Sequence, residues 1–214
     1  MKRALILLSG ALLATVAVAH PVTFPGNLMV MGEVDRDWKD FNAWYTFAPK
    51  HAAGVGYQEF QSEDESRERE IPNVHYNYRA ARWNWRDAQA NIYLQAGLGN
   101  ARGNDFSGSE TVLMPGVQLD YETRRIYLAY RWHGVTGGPV NHSFNNVQAG
   151  FAFYAGEYDE WSPWFILDVR KMSNLGMDTQ VTPTLRLVHK ALFFEVGAVD
   201  GERLRVNLMY NFSF

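Results

Sequence analysis

The chain of 214 residues contains no cysteine, so neither disulfides nor thiolate metal sites contribute to its stability or chemistry. Beyond its first twenty positions it also lacks any uninterrupted apolar run of the roughly 18 residues that a membrane helix requires. A helical membrane protein is excluded. A basic surplus is missing as well: the 20 basic side chains, Lys2 and Arg3 among them, are outnumbered by 23 acidic ones. No basic stripe forms, which excludes nucleic acid as a partner. There is no HExxH, no phosphate-binding glycine loop and no dinucleotide fingerprint. The stretch GLGNARG, residues 97–103, follows a strand-like run but opens no helical pattern and reads as a loop.

What is present begins with a basic start at Lys2 and Arg3, an apolar stretch from Ala4 to Val18, and a small-x-small site at Ala17-Val18-Ala19. These features predict a cleaved signal peptide over 1–19 and one exported domain over 20–214. Aromatic residues make up 14% of the chain, with seven Trp and eleven Tyr. That enrichment is typical where rings sit at a lipid boundary.

After Asn27 the apolar residues recur at every second position, which is the period of a strand with two unlike faces. Twelve such runs lie near 27–35, 38–48, 51–60, 72–84, 87–98, 110–122, 124–133, 144–157, 161–172, 178–190, 191–199 and 202–214. In the last of them Leu204, Val206, Leu208, Tyr210, Phe212 and Phe214 share one face, opposite Arg205, Asn207, Met209, Asn211 and Ser213. Connections after even-numbered runs are tight, as at 48–51, 84–87, 122–125 and 189–191. Four of those after odd-numbered runs are longer and polar, at 61–71, 99–109, 134–143 and 171–180. Asp200-Gly201 reads as a two-residue hairpin turn.

An even strand number, tight turns at one end, longer loops at the other and polar-in, apolar-out alternation predict an all-β fold: a closed antiparallel transmembrane β-barrel of about 12 strands, with short periplasmic turns and longer extracellular loops. Lipid offers no hydrogen-bond partner to the backbone, so the last strand must pair with the first and leave no edge. A soluble β-sandwich or lipocalin-like barrel also alternates, with its apolar face inward, and the period by itself does not choose between them.

On these residues the chain resembles bacterial outer-membrane barrels, with Met209 standing where many of them carry glycine. The resemblance implies that Phe214, Phe212 and Tyr210 help present the chain to the barrel assembly machinery. It also implies a monomer in the outer membrane, with lipid and lipopolysaccharide around it.

With the apolar faces on lipid, the inner face receives a near balance of arginine and acid. Arg79, Arg125, Arg131, Asp168, Arg170, Arg186, Glu195 and Arg205 are the expected lining. Twelve strands fall between barrels that side chains fill and barrels wide enough for an aqueous channel, so a narrow or plugged lumen is expected. Two roles fit: a passage for small solutes, anionic ones if the arginines form a track, or a structural surface barrel whose charges satisfy one another.

Metal association is a rival role. Cleavage after Ala19 would make His20 the first residue, whose amine and imidazole can chelate copper, while Pro21 offers no amide nitrogen as a further ligand. Met29 and Met31 supply thioethers on the expected inner face, although methionine also fills gaps in packed interiors. No other cofactor is expected, and no enzyme activity. The segment Asn141–Asn146 carries the His and Ser of a lipid-modifying barrel hydrolase, but His142 and Ser143 are adjacent and would point to opposite faces. The acidic run at 63–70 is interleaved with Arg67 and Arg69 and reads as a solvated loop.

Overall fold

The computed structural model describes residues 20–157, 159–175 and 177–213. The expected signal peptide at 1–19 and the terminal Phe214 lie outside the described residues. Twelve strands follow one another: β1 (Leu28–Val34), β2 (Trp38–Ala48), β3 (His51–Gln61), β4 (Glu68–Asn84), β5 (Ala88–Gly103), β6 (Glu110–Thr123), β7 (Ile126–Gly137), β8 (Val140–Ala152), β9 (Ser162–Ser173), β10 (Gln180–His189), β11 (Leu192–Val199) and β12 (Arg203–Phe212). Every sequential pair is antiparallel, and β1 pairs with β12 from Leu28 opposite Phe212 to Val34 opposite Val206. The cylinder has no free edge, which satisfies the backbone groups that lipid cannot.

Burial is inverted relative to a water-soluble barrel. Leu204 is 66% exposed, and Val55 and Leu113 are 59% exposed, on the outer face, whereas Asp168 and Arg170 are 0% and 2% exposed inside. In water such an arrangement would forfeit the hydrophobic contribution and bury the charges at a cost. It is favourable only with hydrocarbon outside. Tyr45, Phe47, Trp83, Trp85, Phe153, Trp161, Tyr210 and Phe212 are exposed at the end of the barrel that holds the β2–β3, β4–β5 and β8–β9 connections. Their rings mark a membrane–water boundary there.

The connections differ from expectation in several places. β4 already begins at Glu68 and β5 runs on to Gly103, so 68–71 and the stretch 97–103 are paired strand rather than loop. The β7–β8 hairpin turns at Gly138-Pro139, so 134–143 is mostly strand, because Val135 and Val140 continue the inward alternation and are buried. The β8–β9 connection, residues 153–161, is long although it lies at the end with the tight turns. Asp200 and Gly201 both take positive φ (52° and 79°) in the β11–β12 hairpin, as that pair favours, within a three-residue connection. A bulge between Arg79 and Ala81 shifts the phase of β4 against β5.

Inside, two apolar clusters bracket a polar middle. One contains Val22, Met29, Trp44, Tyr93, Phe193 and Met209; the other contains Trp38, Phe60, Ile71, Phe144, Leu175 and Met177. Val22 precedes β1 and is fully buried, so segment 20–27 folds into the mouth nearest the chain ends. Gly26 and Asn27 exchange backbone hydrogen bonds with Thr46, and Thr23 N–H donates to Thr46 Oγ1 at 3.1 Å. Leu175 and Met177, from the β9–β10 connection, are buried at the opposite mouth.

Candidate functional site

The alternation that builds the wall also determines which side chains reach the lumen. On β9 the even positions Asp168 and Arg170 point in; on β12 Arg205, on β10 Arg186, on β11 Glu195 and on β1 Glu33 do the same. Arg170 pairs with Glu33 and, at 3.1 Å, with Asp35 of the β1–β2 connection. Its guanidinium also lies over the rings of Phe144 and Trp38, at 5.2 and 5.6 Å. Asp168 receives Arg205 at 3.1 Å, Asn146 at 2.9 Å and Gln148 at 2.6 Å. Arg186 donates to Glu195 at 2.8 Å and stacks over Tyr127 at 4.4 Å. Glu195 in turn accepts from Asn207 at 3.1 Å. A confined charge is costly unless paired and hydrogen-bonded, and on this wall each one is.

The facing wall, β2 to β7, is different. Its inward positions include Gly54 and Gly56 on β3, Gly97 on β5 and Gly116 on β6. A Cβ on Gly54 would stand 2.0 Å from the Ala43 carbonyl and 2.9 Å from His75 Nε2, so the close approach of strand and ring requires glycine. The missing side chains leave a cavity of about 120 Å³ bordered by Asp40, Gln58, His75, Asn77, Gln95 and Arg131. That is room for several waters or one small solute. Asp40 Oδ1, Gln58 Oε1, His75 Nε2, Asn77 Nδ2 and Trp38 Nε1 are buried there without a hydrogen-bond partner.

Of the expected lining, Asp168, Arg170, Arg186, Glu195 and Arg205 all face the lumen and are buried. Arg131 faces it too and donates to Asn146 Oδ1 at 3.1 and 2.9 Å. Arg79 lies at the mouth nearest the chain ends and caps the Pro49 carbonyl of the β2–β3 turn. Arg125 does not line the lumen. It sits in the β6–β7 turn, exposed, donating to the carbonyls of Ala152 and Phe153 at 3.2–3.4 Å, because the strand begins two residues later than the period suggested. Arg82 is a lumen residue the alternation missed. The bulge before it turns it inward, where it donates to Asn91 Oδ1 at 2.6 Å and Tyr93 Oη at 3.2 Å. A bulge leaves no mark in apolar periodicity, so no sequence signal would have found it.

The residues considered for copper are not brought together. His20 Nε2 lies against the β5–β6 wall, 3.3 Å from Asn91 Nδ2 and 3.4 Å from Asp120 Oδ1. Met29 and Met31 stand on β1, and Met31 is paired across the strands with Met209. All three methionines are buried in the apolar cluster, as gap-filling residues are. Among the described residues no group of three or more His, Asp or Glu is arranged to hold a metal ion. His142 points inward on β8 and its Nδ1 accepts from Arg69 at 3.2 Å, while Ser143 faces the other way, so the pair forms no hydrolase site. At the outer mouth Arg69 also binds Asp105 of the β5–β6 loop through Nε at 3.2 Å, which holds that carboxyl below its ordinary range.

No protein-family model matches the chain, and no curated protein matches it either. Solved structures do. The KdgM porin is similar at a TM-score of 0.50 with 13% identity, over 88% of this chain and 99% of that one. A second structure, the KdgM porin in complex with disordered oligogalacturonate, gives 0.50 and 12% over the same shares. OprD of Pseudomonas aeruginosa gives 0.37 and 11%, over 88% of this chain and 66% of that one. At these identities the likeness is one of fold, and the chain has the fold of bacterial outer-membrane β-barrels.

Proposed function

We propose that the chain is a plugged outer-membrane channel for small hydrophilic solutes, with its apolar outer face against lipid and lipopolysaccharide. The observation that carries this reading is the cavity bordered by Asp40, Gln58, His75, Asn77, Gln95 and Arg131, kept open between two closures, segment 20–27 at one mouth and Leu175 and Met177 at the other. Both closures are connections or tails rather than wall strands, so each can leave the lumen while the cylinder stays paired. Arg79, Arg82 and Arg131 have no carboxylate within ion-pair distance among the described residues. They give anionic groups a foothold along β4 and β7, in keeping with the expectation of anion passage. The KdgM likeness supports the barrel frame. The reading assigns no catalytic step.

Planar-bilayer recording tests it. Val22→Asp together with Leu175→Asp places a charge in each apolar seal, and the double variant is expected to conduct several-fold more than the parent. Arg131→Gln in that background is expected to lower its preference for anions. A double variant that folds and conducts no better than the parent would reduce the protein to a structural surface barrel.

A further inference from the structure

The cavity border carries two carboxylates and one guanidinium: Glu33 is taken by Arg170, whereas its cross-strand neighbour Asp40 and Arg131 do not meet. Among the described residues no Lys, Arg or His nitrogen lies within ion-pair distance of Asp40, and no carboxylate within that distance of Arg131, although Glu33, Asp168 and Glu195 are paired with the three buried arginines of the β9–β12 wall. Asp40 rests its carboxyl against the amides of Asn42 and Gln58, leaving Oδ1 without a partner. Asp40 is on β2 and Arg131 on β7, five strands apart in a ring of twelve, so they occupy opposite sides of the cavity.

Further unmet groups lie between them. His75 Nδ1 is 2.9 Å from Asn73 Oδ1, an arrangement in which Nδ1 carries the proton and Nε2 is left as an acceptor. Gln58 Oε1 is a second orphaned acceptor beside Asp40, and Asn77 Nδ2 an orphaned donor. A buried polar atom without a partner costs stability, and several around one cavity of this size are the mark of a site shaped for a polar occupant.

The geometry points to a binding site for a small zwitterion of α-amino-acid type, its ammonium on Asp40, Gln58 and His75 and its carboxylate on Arg131. Acceptors gather on the β2–β4 side and the unpaired cation stands on β7, which matches separated charges of both signs. A simple anion would leave Asp40 unanswered, and a simple cation would leave Arg131 so. A cavity of about 120 Å³ has room for glycine or alanine. The proposal deepens the channel reading by naming a solute class, yet binding and passage are separable.

Titration calorimetry on the detergent-solubilised full chain tests it, with glycine and alanine as probes and acetate, methylammonium and glycerol as comparisons. Glycine and alanine are expected to bind, each single-charge probe at least about tenfold more weakly, and Asp40→Asn or Arg131→Gln to weaken glycine about tenfold or more. Heat-modifiable migration shows which variants have folded, and either variant alone suffices. No heat with glycine, equal binding by folded Arg131→Gln, or glycerol binding as tightly as glycine each overturns the zwitterion site. Conduction by the unsealed double variant without glycine binding would sink this proposal and leave the channel. Glycine binding without conduction would do the reverse.

Discussion

The two walls of the lumen obey one rule and reach opposite results. From β9 through β12, inward alternation delivers long charged side chains that lock together: Arg170 on Glu33 and Asp35, Arg205 on Asp168, Arg186 on Glu195. From β2 through β7 it delivers amides, His75, His133 and glycines, which fail to fill the space and leave polar atoms unmet. A barrel of twelve strands therefore does not dictate an open or a solid interior. The residue sizes on a few inward positions decide it, wall by wall.

The sharpest way to break the comparison is to remove one member of the locked wall. Asp168→Ala deprives Arg205 of its carboxylate and strands Asn146 and Gln148 as well. It is expected to cost about 3–5 kcal/mol in urea unfolding from lipid vesicles. Replacing a whole pair is a different operation: Glu195→Leu alone is expected to destabilise by several kcal/mol, whereas Glu195→Leu with Arg186→Met recovers most of that loss, because no unpaired charge remains. The same unfolding assay reads both. On the cavity wall the expected effect is smaller. His75→Leu removes the unpartnered Nε2 together with the single Nδ1 bond to Asn73, and should cost about 1 kcal/mol.

The smallest effect belongs to the outer mouth. The Arg69 hydrogen bond holds the Asp105 carboxyl below its ordinary value, so its stabilising contribution is present above the unfolded value and is lost as pH falls through the lowered folded one. Proteolysis of loop 104–109 should stay slow from neutral pH down through the usual carboxylate range and quicken only below it. In Asp105→Asn it should be quick throughout.

The strands were legible in the sequence because a membrane barrel exposes two unlike solvents, hydrocarbon outside and a polar interior, to alternate residues. Asp168, Arg170, Arg186, Glu195 and Arg205 could be assigned to the lumen on that basis. What escaped the period were events that interrupt it. The bulge at Arg79/Ala81 reversed the phase that would have revealed Arg82. The true start of β7 moved Arg125 from lumen to turn. Segment 20–27 has no period at all, so nothing in it showed that Val22 would be buried in the mouth. The cavity was hidden for another reason: Gly54 and Gly56 lie inside the run 51–60 without a side chain to mark them, and only the neighbouring Asn42, Asn73 and His75 show why they are needed.

Because the chain has no cysteine of its own, single cysteines report which wall faces the solute route. In the unsealed double variant, Asn77→Cys and Gln95→Cys are expected to react with a charged thiol reagent and to change the conductance, while Thr184→Cys and Asn207→Cys stay inert. Reaction confined to the Thr184 and Asn207 positions, with Asn77 and Gln95 silent, would contradict the assignment of the passage to the β2–β7 wall.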